Sequence, residues 1–200
     1  IDKGCLIDSK VIGVQNSIDQ FFYEDNGKKY MFWGSFRGIY ATELTDNGLE
    51  IKKKTDGTPV LKKRICGNRF EGTNIYKRGE YYYLFASIGT CCNGATSTYQ
   101  TVVGRSKNVL GPYLDKTGRD MLYDYCEIIM SGNETWAGPG HNSILIQDDV
   151  GTDWIIYHGY KKKEAENGRY VLMDKLIWSN DGWPSVKSNA PSILEVAPYF

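Results

Sequence analysis

An aromatic run, a tight turn and a second aromatic run occur three times in this chain, and few folds can bury such a pattern. The first copy is "FFYEDNGKKYMFWGSF" (21–36), with Asn26-Gly27 between the runs, the strongest short-range hairpin signal. "IYKRGEYYYLFAS" (75–87) repeats it around Gly79, and "SILIQDDVGTDWIIYHGY" (143–160) around Gly151. "TYQTVVGRS" (98–106) adds a strand, and "YVLMDKLIWSNDGWPSV" (170–186) adds more around a turn at Asp181-Gly182. Only "KKKEAEN" (161–167) has helical composition; it is short and polar on every face, so a solvated loop is expected there. The fold class expected is all-β.

The turn glycines recur about every 60 residues, a period that suits four-stranded propeller blades, with a sandwich carrying long loops as the alternative. The 200 residues supply about three such units, and a propeller needs at least four to close. Either the sheets pack differently or the chain holds part of a ring.

Composition narrows the partners. Twenty-four basic and 24 acidic side chains give a formal charge of zero, leaving no overall field to draw nucleic acid or an anionic membrane surface. A neutral ligand fits better. The start, "IDKGCLIDSK", lacks the basic end and apolar centre of a signal peptide, so any export signal is expected to have been removed or to lie upstream. The five cysteines have no zinc-type spacing, Cys91 and Cys92 being adjacent, and no disulfide framework is expected.

With two histidines, His141 and His158, a three-histidine metal site is excluded, and no P-loop or G-x-S-x-G elbow is present. Carboxylates are left as the reacting groups. Asp19, in "NSIDQFFYED", is expected at a strand start on the face of Phe21 and Tyr23, either as a site residue or as a cap. Glu71, in "RFEGTNIYKRGEYYYLFAS", stands alone before a glycine, a setting that usually marks a solvated loop. In "WAGPGHNSILI" (136–146) a Gly-Pro-Gly turn would deliver His141 and Asn142 to an apolar strand, and His158 would line a core or channel. Trp33, Trp136 and Tyr99 are candidates for a sugar platform, though most aromatics here must be core.

Four stretches, "NSIDQFFYEDNGKKYMFWGSFRGIY", "FEGTNIYKRGEYYYLFASIGTCCNGATSTYQTVVGRS", "GPYLDKTG" and "WAGPGHNSIL", occur in an order that resembles the arabinanases of glycoside hydrolase family 43. The resemblance implies a five-bladed β-propeller with its active site at one mouth of the central axis, residues 1–200 forming the C-terminal part of one catalytic domain. It also implies hydrolysis of α-L-arabinofuranosyl linkages in arabinan with inversion. In the matching positions Glu71 would be the general acid, Asp19 the carboxylate that tunes and orients it, and His141 the histidine that helps hold a calcium ion, largely through water. Gln20 and Thr73 replace prolines common after the two carboxylate motifs.

The family's general base lies upstream of the "ID" motif, and the surroundings of Asp2 and Asp8 do not resemble it. The base is therefore not found in this chain, and an N-terminal segment or separate chain is expected to complete the ring. Two other readings stay open: a carbohydrate-binding or structural module without catalysis, and an arabinofuranosidase or xylosidase of related specificity. The polymeric substrate implies a secreted or periplasmic protein.

Overall fold

The computed structural model describes residue 2 and residues 4–200. The aromatic hairpins form because strands of period two can bury one face and leave the other in water. Strands β1 (Phe21–Asp25), β2 (Lys28–Trp33), β3 (Ile39–Glu43) and β4 (Lys63–Cys66) make an antiparallel sheet in sequence order. In β1 the half-buried residues alternate with exposed ones, and Phe21 pairs Phe32 while Asp25 pairs Lys28 across the Asn26-Gly27 turn.

A second sheet runs β5 (Glu71–Arg78), β6 (Tyr81–Ile88), β7 (Gln100–Ser106) and β8 (Glu127–Met130). In a third, the long strand β11 (Asp153–Lys161) is flanked on one side by β12 (Arg169–Lys175). On its other side lie β9 (Trp136–Gly140) and β10 (Ile146–Gln147). A short hairpin, β13 (Ile177–Trp178) with β14 (Pro184–Ser185), follows. The three expected hairpins and the Asp181-Gly182 turn are thus all present.

The chain divides into two compact units, one of residues Ile1–Leu84 and Gly104–Cys126, the other of Phe85–Val103 and Glu127–Phe200. In the first unit Ile12, Val14 and Trp33 form a buried cluster, with Met31, Tyr40 and Ile51 packed on it. Its single-turn helix α1 (Ser9–Ile12) starts on Asp8, whose carboxylate accepts from Lys10 N and Val11 N. In the second unit Trp154, Ile155 and Tyr157 are buried on β11.

Three local expectations are corrected. Residues Lys162–Asn167 form 3₁₀ turns rather than a bare loop, because Glu164 accepts from both Lys161 Nζ and Tyr170 OH and ties the segment down. Asp19 is not in a strand: its φ is +56°, and β1 begins two residues later. The "GPG" segment is no turn either. It is the end of β9, paired to β11 across a bulge between His158 and Tyr160, with Gly138 at φ +61°.

The loop between β2 and β3, "GSFRG", positions a site side chain. Gly34 has φ +123°, and a Cβ there would meet Gly38 O at 2.2 Å. Only glycine fits that approach. Gly34→Ala is expected to lower the unfolding free energy by more than about 1 kcal/mol, read by chemical denaturation. An unchanged midpoint would show that the loop relaxes freely.

Candidate active site: a braced carboxyl and a histidine cluster

The first unit brings Asp19 and Glu71 together. Glu71 opens β5 and is 7% exposed, so the isolated glutamate is not a solvated loop residue. Three polar contacts converge on it and its neighbours. Ser35, 2% exposed, donates its hydroxyl to Glu71 Oε2 at 2.7 Å. Gly72 N donates to Asp19 Oδ2 at 3.1 Å, which sets the Asp19 carboxylate against the backbone immediately after Glu71. Phe36 N donates to Phe70 O at 2.9 Å, immediately before it.

One segment, residues 16–19, carries both sides of this arrangement. Asn16 Nδ2 donates to Ser35 O at 2.8 Å, and Ile18 O accepts from Gly34 N at 2.8 Å. Asn16, Asp19 and Phe36 all have left-handed φ, at +54°, +56° and +49°. Such conformations persist in non-glycine residues only where the surroundings over-determine them, and they cluster at functional sites. Thr73, two residues on and on the same side of β5 as Glu71, has a buried hydroxyl with no hydrogen-bond partner among the described residues.

The second unit holds His141. It is exposed, at φ +51°, with its N–H donating to Ser87 Oγ at 2.8 Å and its Nδ1 3.3 Å from Tyr99 OH. It begins no strand, since β10 starts at Ile146. The glycines before it make room for its supports: a Cβ on Gly140 would lie 2.3 Å from the Tyr99 ring, and one on Gly138 2.0 Å from Ser97 Oγ. His158 stacks on both Tyr99 and His141, with ring centroids 5.9 and 6.1 Å apart.

Burial, and then the nearby Arg169 charge, push the His158 imidazole down to about 4, so it is neutral near pH 7. Arg169 Nη1 lies 3.2 Å from Nε2 and can only donate, which leaves the proton on Nδ1, a buried atom with no partner among the described residues.

The proposed sugar platforms divide. Trp33 and Tyr99 are each 1% exposed and offer no open face. Trp136 is half-buried, with Tyr170 at its edge and its buried Nε1 without a hydrogen-bond partner among the described residues. Ser35 was not legible as a site residue, being a loop serine 36 positions from Glu71. Cys91 and Cys92 are joined in a vicinal disulfide in the β6–β7 loop, which adjacency alone did not signal; Cys66 is buried and Cys5 exposed.

No group of three or more His, Cys, Asp or Glu among the described residues forms a metal cluster. The Nδ1 of His141 is turned to Tyr99. A hard cation such as calcium prefers oxygen, so this imidazole suits a contact made through coordinated water.

The profile of glycosyl hydrolases family 43 matches residues 2–184. The chain belongs to that family. It is 36% identical over 197 residues to the extracellular exo-alpha-(1->5)-L-arabinofuranosidase of Cellvibrio japonicus, covering 92% of this chain and 56% of the relative. To the extracellular endo-alpha-(1->5)-L-arabinanase 1 of Bacillus subtilis it is 35% identical over 187 residues, covering 92% and 55%. The solved Cellvibrio cellulosa alpha-L-arabinanase complexed with arabinohexaose superposes with a TM-score of 0.70 at 34% identity, over 84% of this chain and 56% of that one. The chain therefore spans about half the length of the curated relatives it matches. Its fold class is that of the family's five-bladed β-propellers, and the three four-stranded sheets are the blades it contains.

The neutral His158 gives a pH prediction. Its folded value lies below the ordinary histidine value of 6.5, so its contribution to stability is full above about pH 6.5 and lost as pH falls toward about 4. The melting temperature of the chain is expected to fall more steeply over that window than that of His158→Gln. Parallel curves would contradict the assignment.

Proposed function

We propose that this chain carries the acid side of an inverting hydrolase of α-L-arabinofuranosyl linkages in arabinan. The observation that carries the reading is the buried Glu71 carboxyl, gripped by Ser35 and flanked by the Asp19-bound backbone of Gly72. Glu71 is the general acid. It hands its proton to the leaving oxygen as the glycosidic bond breaks. Asp19 orients the acid and tunes its proton affinity through its negative charge. Support for arabinan as substrate comes from the relatives' names and from the neighbour's complex with arabinohexaose.

Inversion requires a second carboxylate about 6.5–9.5 Å away, on the far face of the sugar, to activate water. Asp8 is committed to the N-terminus of α1 and is not that base. The base is not found among these residues, and an N-terminal segment or a separate chain that completes the propeller would supply it. His141 would hold calcium through water, and the ion would supply fixed positive charge beside it. Two relatives are named extracellular, which supports a secreted or periplasmic protein.

Glu71→Gln is expected to abolish release of reducing sugar from linear arabinan, a loss of about 10²–10⁴-fold, while calorimetric binding of arabinotriose stays within about threefold. The assay is made with the polypeptide that contains these residues and its upstream sequence. Unchanged turnover would remove Glu71 from the acid role.

A further inference from the structure

A carboxylic acid has two oxygens, and only the one carrying the proton can deliver it. Ser35 decides between them. Its hydroxyl donates to Glu71 Oε2 at 2.7 Å, inside a region where both residues are more than nine-tenths buried. The carbonyl oxygen of a carboxylic acid is its better acceptor, so this bond favours a proton on Oε1 over one on Oε2.

The serine is itself held from three sides. Its carbonyl accepts from Asn16 Nδ2 at 2.8 Å; the preceding Gly34 N donates to Ile18 O at 2.8 Å; the following Phe36 N donates to Phe70 O at 2.9 Å. Phe36 pays for this with a left-handed φ of +49°, unusual in a bulky residue, and Gly34 lies too close to Gly38 O for any side chain. A loop locked so tightly, with its one hydroxyl on the acid, is built to fix a rotamer.

Resting on the reading of Glu71 as acid, we propose that Ser35 is its positioning residue: it pins Oε2 as acceptor, directs the transferable proton to Oε1, and keeps its hydrogen bond to the carboxylate left when that proton has gone to the leaving oxygen. Hydrogen bonds to a carboxylate are stronger than those to the neutral acid, so the contact tightens as the glycosidic C–O bond breaks.

Infrared difference spectra between the chain and Glu71→Gln, taken at a pH low enough to protonate the acid, isolate the C=O stretch of Glu71. In Ser35→Ala this band is expected at higher wavenumber, with Ser35→Thr restoring it and all variants folding as judged by melting. An unmoved band overturns the proposal.

Turnover gives a second reading, in the polypeptide that includes the upstream sequence. Ser35→Ala is expected to lower kcat about tenfold on arabinotriose, whose leaving group needs a proton, with KM little changed. On a dinitrophenyl arabinofuranoside, whose leaving group does not, the loss is expected to stay below about threefold. Equal losses on both substrates would overturn the proposal in favour of a structural role. If Glu71→Gln itself spares arabinotriose turnover, the acid assignment has failed; if it abolishes turnover while Ser35→Ala changes nothing, Ser35 alone has.

Discussion

The hydrogen bond from Gly72 N to Asp19 Oδ2 joins residues 53 positions apart and sets the geometry around the Glu71 carboxyl. Closing a loop of that length has an entropic cost that one hydrogen bond cannot offset. The sheets on either side offset it. β1 and β2 are locked by Phe21 on Phe32 and by the buried Trp33, while β5 and β6 carry the buried Ile75, Tyr82, Tyr83 and Leu84. Once those hairpins have formed, residues 16–19 and 70–72 are presented to each other, and the polar contact adds direction to an approach already made.

That division of labour explains why the carboxyl can be buried. A polar group sealed from water is costly unless it is hydrogen-bonded. Here the Ser35 hydroxyl donates to the carboxyl, and Asn16 and Ile18 hold the loop that carries the serine, all within one compact unit. In the other unit His141 is treated differently: the side chain is exposed while its backbone and Nδ1 are fixed by Ser87 and Tyr99.

The fold was largely legible because alternation and turn chemistry are local signals. Asn26-Gly27, Gly79 and Gly151 mark hairpins wherever they sit between apolar runs, and each does so here. The site was legible only in part. Motif resemblance picked out Asp19, Glu71 and His141, yet alternation placed Asp19 in a strand and read the glycines before His141 as a turn. Both errors have one cause: backbone conformation at these points is imposed by distant groups, Gly72 N for Asp19 and the Tyr99 ring for Gly140, and nothing in the neighbouring residues encodes them. Ser35 escaped notice for the same reason, and so did the unpartnered Thr73 hydroxyl.

The measurement that tests the account most directly is a titration of the chain with arabinotriose, followed by carbon-13 NMR of the Asp19 and Glu71 carboxyl carbons together with the Gly72 amide. The account predicts that all three signals move along one saturation curve, since a ligand meeting the acid must disturb the contact that braces it. Saturable binding that leaves all three unmoved would place the sugar elsewhere and contradict the assignment of this carboxyl pair as the reacting centre.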